Sequence, residues 1–159
     1  MKKNVNEMPS DQLIKVKLGG SGTTDDIVQY LKENGFSYVN DLITNKNFPL
    51  KPHKIEEYKI KIIDPGRSFN EKEGLDILKT AGLLRPTIED ALRFAEQYGA
   101  TTIGKKPYIM FLHEPWCDEN SHPRILYIGR SSDNREFGLD YPDLGFIDYC
   151  VLAGVVPHK

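Results

Sequence analysis

Apolar and polar residues alternate along two stretches of the chain, a pattern typical of strands with one buried face. The stretches cover residues 12–18 and 58–63, in which isoleucine, valine and leucine alternate with lysine. Successive side chains of a strand point to opposite faces, so each strand is expected to bury its apolar set and expose its lysines. The exposed positions are Lys15, Lys17, Lys59 and Lys61. We therefore predict two half-exposed strands.

Three other stretches carry apolar residues at helical spacing, over residues 24–34, 71–80 and 88–98. Thr23 and Thr87 precede the first and third stretches, and a threonine side chain there accepts hydrogen bonds from the free N–H groups of a helix start. A glycine follows each stretch closely and favours the end of a helix. The sequence thus predicts three helices.

Beyond residue 106 the apolar residues form short continuous runs, over residues 108–112, 125–128 and 149–153. Runs of this length suit central strands that are buried on both faces. A weaker strand is predicted over residues 136–141, after the turn-forming Ser-Ser-Asp-Asn sequence at 131–134. We expect adjacent, hairpin-like strands that bury three side chains together: Phe111, Leu126 and Val151.

Strands that cluster after two consecutive helices indicate an α+β fold. We predict a largely antiparallel sheet with about three helices, two of them packed on one face as a helical pair. Residues 1–10 are expected to form a flexible tail, and residues 11–50 a strand–helix lobe docked on an α+β core domain over residues 56–159. The proline-containing stretch 45–57 is expected to connect the two across the surface.

Composition narrows the class of protein. The chain has 159 residues, of which 39% are hydrophobic and 28% charged, as in an ordinary globular domain. No apolar run approaches the ~20 residues that a membrane span requires, and we expect a cytoplasmic protein that does not bind membranes. Cys117 and Cys150 are predicted to be reduced thiols. No cofactor is predicted, and the sequence leaves the oligomeric state open.

The net charge is −2, which argues against a dedicated nucleic-acid binder, so we expect a protein partner and keep nucleic acid as the lesser option. The charge is unevenly distributed, because residues 114–148 hold eight acidic residues against three arginines. The far end of the chain is therefore the acidic one.

The densest group of reactive side chains lies between His113 and His122. Imidazole, carboxylate and thiol groups are good zinc ligands, so His113, Cys117 and His122 are candidate metal ligands, and His113 and Glu114 candidate catalytic residues. Their order matches no established metal spacing, and a proline within the segment prevents a regular helix. The alternative is a strand that ends in a loop, with solvated charges and Trp116 folded back as an anchor.

A second pair of candidates comes from a resemblance. The Pro-Tyr-Ile sequence at 107–109 and the Tyr-Ile-Gly-Arg-Ser sequence at 127–131 resemble the two strand motifs of the GIY-YIG nuclease family. In that family paired tyrosines act near the scissile phosphate, an arginine from the following helix assists, and a later glutamate holds the metal. The resemblance implies Tyr108 and Tyr127 as the tyrosines and Arg135 as the arginine. It also implies a helix after the second motif, where this chain is rich in turn formers.

The lysine-bearing strands give a binding hypothesis. If the two strands are neighbours, Lys15, Lys17, Lys59 and Lys61 share one solvent face that suits an acidic protein or a phosphate backbone. The alternative is that these lysines only guard an edge strand. Trp116 is a further candidate contact residue.

We predict a small intracellular interaction or accessory domain without catalytic activity, which binds a protein or other partner through its sheet or loops. No motif supplies a nucleophile with its base, a full set of metal ligands or a phosphate loop. The alternative is a metal-dependent hydrolase or nuclease that uses either the His113, Glu114 and His122 cluster or the pair Tyr108 and Tyr127.

Overall fold

The computed structural model describes residues 7–8, 13–131 and 134–158, which form three helices and ten strands. The helices are Thr24–Glu33 (α1), Glu71–Thr80 (α2) and Ile88–Tyr98 (α3). The strands are Glu7–Met8 (β1), Leu13–Gly20 (β2), Tyr38–Val39 (β3), His53–Ile63 (β4), Thr102–Ile103 (β5), Tyr108–Met110 (β6), Trp116–Cys117 (β7), Pro123–Ser131 (β8), Asn134–Asp140 (β9) and Cys150–Val155 (β10). A 3₁₀ helix, Pro142–Leu144, lies between β9 and β10. The predicted tail, residues 1–10, lies outside the described residues except for β1.

Each helix begins with a reciprocal capping box. The Thr23 hydroxyl accepts a hydrogen bond from the Asp26 N–H, and the Asp26 carboxylate accepts one from the Thr23 N–H, both at 3.1 Å. The same arrangement caps α2 at Asn70 and α3 at Thr87. These bonds satisfy N–H groups that have no partner within the helix. The three predicted helices are confirmed, with bounds within one residue of those expected.

Seven strands form one sheet in the order β2-β4-β10-β6-β8-β9-β3, and β7 adds to it by pairing with β8. The strands β1 and β5 form a separate parallel pair. Within the main sheet β10 runs parallel to β6, and β3 runs parallel to β9, whereas the other pairings are antiparallel. The α+β class is correct, but the prediction of a largely antiparallel sheet is wrong, because the sheet is mixed. The error arose at β10, which was expected to form a hairpin-like pair and instead inserts between β4 and β6.

The sheet separates two hydrophobic clusters. The larger cluster includes Phe111, Leu126 and Val151, as predicted, together with the buried sides of α1 and α3. The smaller cluster lies on the opposite face and contains Leu78 of α2 and Leu152 of β10. We call these the α3 face and the α2 face of the sheet. The predicted packing of α2 and α3 as a pair is not confirmed, because α3 packs with α1 in the larger cluster, whereas α2 packs in the smaller one.

The strand β4 is longer than predicted. Residues 53–57 were assigned to a surface connection because they are polar, yet they pair with residues 17–20 of β2. Their side chains are exposed, so the apolar alternation that marks residues 58–63 is absent there. The predicted lobe over residues 11–50 contributes β2, α1 and β3 to the common sheet and core, and its division from residues 56–159 as a docked lobe stays a prediction.

None of the helices formed by the described residues has the length and apolar content that crossing a membrane requires.

Candidate functional site

His113 is buried and both of its ring nitrogens are engaged by the backbone. Nε2 accepts a hydrogen bond from the Leu126 N–H at 3.0 Å, so the ring hydrogen resides on Nδ1, which donates to the Glu114 carbonyl at 2.7 Å. Burial lowers the pKa of His113, which favours the neutral ring that this pattern requires. No lone pair remains for a metal, and no ring nitrogen is free to move a proton to or from a substrate.

The other members of the predicted cluster lie apart from His113. The Glu114 side chain is 86% exposed and accepts a hydrogen bond from the Arg85 guanidinium at 3.0 Å. His122 is exposed beside the ring of Tyr141, with 6.0 Å between the ring centres, and Cys117 is an exposed thiol. Within residues 13–131 and 134–158, no three His, Cys, Asp or Glu side chains are placed to hold a metal. The structure therefore does not bring the candidates of the segment from His113 to His122 together.

Trp116 takes the anchoring role that the sequence left as an alternative. Its ring packs against buried Phe48 with 5.0 Å between ring centres, and it is half-buried at the edge of the larger cluster. Its use as a partner contact stays a prediction.

Tyr108 and Tyr127 do come together, on the neighbouring strands β6 and β8. Tyr108 lies opposite Gly129, and the two tyrosine rings are 6.1 Å apart at an angle of 71°. The chain then continues into strand β9, where the GIY-YIG nucleases have a helix, so this implication of the resemblance is wrong. Arg135 lies in β9 two residues before Phe137, which packs on the α3 face, so the Arg135 side chain is on that face as well. Its guanidinium donates a hydrogen bond to the Gly99 carbonyl. It therefore points away from the tyrosines.

The two tyrosines line a cleft of about 370 Å³ on the α2 face, which we call the tyrosine cleft. Two glycines make room for their rings. An ideal Cβ at Gly129 would lie 2.9 Å from the Tyr108 ring, and one at Gly138 would lie 2.7 Å from the Tyr127 ring. Real Cβ atoms do not approach other atoms so closely, so any larger residue would displace a ring.

Two carboxylates flank the Tyr127 ring. Tyr127 lies opposite Gly138, and Glu136 and Asp140 are each two residues from that glycine, about 7 Å away along the strand and on the same face. Asp140 accepts a hydrogen bond from the Tyr141 N–H at 2.8 Å. Among the described residues that line the cleft there is no lysine, arginine or histidine. The cleft is therefore aromatic and negatively charged.

Three titrating groups of the cleft have raised pKa values: Tyr127, Asp140 and Cys150. Burial raises the pKa of Tyr127, and the charges of Glu136 and Asp140 raise it further. Burial raises the pKa of Asp140, although the Tyr141 N–H and the Arg124 charge oppose this change. Burial also raises the pKa of Cys150 to about 11. At neutral pH the cleft therefore contains a phenol and a thiol rather than activated nucleophiles.

The four predicted lysines lie on adjacent strands and share one face of the sheet, which we call the lysine face; Lys61 is half-buried and the other three are exposed. Lys15 lies directly opposite Lys59 in the pairing of β2 with β4. None of the four forms a salt bridge with the described residues. Leu13 lies opposite Lys61, so it falls on the same face, and it is 49% exposed.

The free edge of β2 is closed by side chains of α3. The Gln97 amide accepts from the Lys17 N–H at 2.9 Å and donates to the Lys17 carbonyl at 2.7 Å, as a neighbouring strand would. The Tyr98 hydroxyl donates to the Lys15 carbonyl, and Glu89 accepts from the Gly19 N–H at 2.8 Å. Backbone groups on this edge are therefore already occupied.

Sequence reasoning missed Glu136, Asp140, Tyr141 and Cys150. A signal was present in β9, where Glu136, Gly138 and Asp140 occupy alternate positions and must share one face of a strand. Comparison of the chain with protein-family models, with curated proteins and with solved structures found no match.

Proposed function

We propose that this protein is a non-catalytic binding module whose lysine face receives an acidic protein segment. The observation that carries the proposal is the closed edge of β2. Lysines on an edge strand commonly serve to block pairing with another chain. Here Gln97 and Tyr98 already occupy backbone groups of that edge, so edge protection does not account for the lysines.

The arrangement of charges also costs stability. Like charges placed directly opposite each other on neighbouring strands are destabilising, and Lys15 and Lys59 form such a pair. Among the described residues of β2 and β4, register places one acidic residue on the lysine face, Glu57 opposite Lys17. An acidic partner would relieve this repulsion on binding.

A protein segment fits this face better than nucleic acid does. Exposed Leu13 lies opposite Lys61 and offers an apolar contact that a phosphate backbone would not use. The net charge of −2 also opposes general attraction to a polyanion. The free thiols of Cys117 and Cys150 suit a reducing compartment, and we propose that the protein acts in the cytoplasm.

The test is affinity capture from the native host with the wild-type chain and two charge-reversed variants. In Lys15→Glu/Lys59→Glu the central pair of the lysine face is reversed. Lys46→Glu/Lys51→Glu changes the net charge equally at two exposed positions outside this face. We expect mass spectrometry to identify a protein with an acidic segment that the first variant retains at least about tenfold less and the control retains fully.

Nuclease treatment of the lysate separates the two partner classes. Loss of the captured protein after nuclease treatment would mean that nucleic acid occupies the lysine face. Equal capture by the wild-type chain and Lys15→Glu/Lys59→Glu would contradict the proposal.

A further inference from the structure

The tyrosine cleft is a formed concavity rather than a gap between loose side chains. Its floor is the sheet itself, and Gly129 and Gly138 allow the Tyr108 and Tyr127 rings to lie against neighbouring backbone. Buried Cys150 and Phe146 line it as well. Its volume of about 370 Å³ falls within the usual range of ligand pockets, roughly 300 to 1,000 Å³.

The electrostatic character of the cleft selects for positive charge. The face of a tyrosine ring attracts a cation within about 6 Å of its centre, and partial burial strengthens the attraction. Glu136 and Asp140 lie on either side of the Tyr127 ring and add negative charge. The pKa of Tyr127 is raised first by burial and then by both carboxylates, whose charges oppose ionisation of the phenol.

A metal ion is the wrong kind of cation for this arrangement. Glu136 and Asp140 are separated by four residues of one strand, about 13 Å between their Cα atoms. The described residues provide no third carboxylate, imidazole or thiolate that would complete a metal site with them. Aromatic faces together with carboxylates instead suit a larger cation with diffuse charge.

We propose that the tyrosine cleft binds an organic cation, an ammonium or guanidinium group, between the rings of Tyr108 and Tyr127 and the carboxylates of Glu136 and Asp140. The cation can belong to a free amine or to a lysine or arginine side chain of a peptide. The site is independent of the lysine face, so either proposal can fail without the other.

Exposed apolar residues extend the cleft at its rim. Ile147, which lines the cleft, is 55% exposed, and Leu144 in the adjoining 3₁₀ helix is 80% exposed. These residues favour a cation carried on an apolar stem, as in an alkylamine or a lysine side chain.

The experiment is an NMR titration of the full chain with n-butylammonium chloride and with n-butanol, its neutral analogue of similar shape. We expect the ammonium probe to shift the backbone amides around Gly138 saturably and the alcohol not to do so. Added NaCl is expected to weaken binding of the ammonium probe. Equal binding of the alcohol, or no shift with the ammonium probe, would overturn the proposal.

Variants locate the site and test its two components. Glu136→Gln/Asp140→Asn keeps the shape of both side chains, removes both charges and is expected to weaken ammonium binding at least about tenfold. Asp143→Asn removes an exposed charge of the 3₁₀ helix and is expected to leave the affinity unchanged. Tyr127→Phe keeps the ring face and is expected to stay within about threefold of the wild-type affinity, whereas Tyr127→Leu should bind clearly more weakly.

A pair of tripeptides distinguishes the two sources of the cation. Acetylated, amidated Gly-Lys-Gly is compared with Gly-norleucine-Gly, which lacks the ammonium group. Tighter binding of the lysine peptide than of n-butylammonium indicates a protein side chain, and the reverse indicates a free amine. An affinity for the charged probes that Glu136→Gln/Asp140→Asn leaves unchanged, with its amide spectrum still folded, would refute the site.

Discussion

The segment from His113 to His122 and the tyrosine cleft differ in whether their side chains face a common cavity. The segment concentrates reactive residue types, yet both nitrogens of His113 are bound by the backbone and Glu114 lies in solvent. The residues of the cleft are spread along the chain from Tyr108 to Cys150 and face a common cavity. The difference teaches that the density of reactive groups in the sequence is a weaker guide to a site than the side chains that line one cavity in space.

The largest expected effect tests the structural role of His113. His113→Ala leaves the buried Leu126 N–H without its partner and opens a cavity, so we expect a loss of about 3 kcal/mol in the free energy of unfolding. His122→Ala, at an exposed position of the same segment, should change it by less than about 0.5 kcal/mol. Urea denaturation followed by Trp116 fluorescence measures both. A similar loss of unfolding free energy in the two variants would contradict the structural role of His113.

The second prediction concerns the floor of the cleft. Gly138→Ala places a methyl group where the Tyr127 ring lies, and the displaced ring should cost about 1 to 2 kcal/mol of stability. In a Tyr127→Ala background the same substitution should cost less, because no ring remains to be displaced. A double-mutant cycle by urea denaturation gives the coupling. Additive costs would show that the ring and the glycine do not constrain each other.

The smallest effect concerns Asp140. Burial raises its folded pKa above the unfolded value, so the folded state favours the protonated carboxyl and loses stability as the pH rises from the unfolded pKa, about 3.9, through the folded pKa. Asp140→Asn removes this cost and should gain less than about 1 kcal/mol at pH 7 relative to the wild type. The gain should shrink below pH 3.9, where Asp140 is protonated in both states.

Thermal unfolding at pH 3 and pH 7 measures this pH dependence, with Asp143→Asn as the exposed control. If Asp140→Asn is less stable than the wild type at pH 7, the charge of Asp140 stabilises the fold. That result would contradict the prediction that burial of this charge lowers the stability of the protein.

The helices were predictable because their determinants are local. Thr23 and Thr87 cap the helices that follow them, and the apolar spacing within each helix identifies its buried side. The shared face of Lys15 and Lys59 also followed from alternation, once the two strands were taken as neighbours. Sequence patterns that span only a few residues therefore predicted most of the helices and strands.

The mixed sheet and the cleft depend on distant parts of the chain. Nothing near Cys150 specifies that β10 lies parallel to β6, because that partner is about 40 residues earlier. The cleft forms only when β6, β8, β9 and β10 are assembled, so its members have no common motif. Alternation in β9 could have placed Glu136 with Asp140 on one face, but not beside two tyrosines.

The central position of β10 has a consequence for how the molecule is made. The ribosome synthesises residues 150–155 after all the other strands of the sheet, yet these residues form the strand that lies between β4 and β6. Until they emerge, the nascent polypeptide consists of two incomplete sheets whose inner edges are uncovered. We expect the protein to acquire its native structure only after this last strand has been synthesised, and to need protection from aggregation before then.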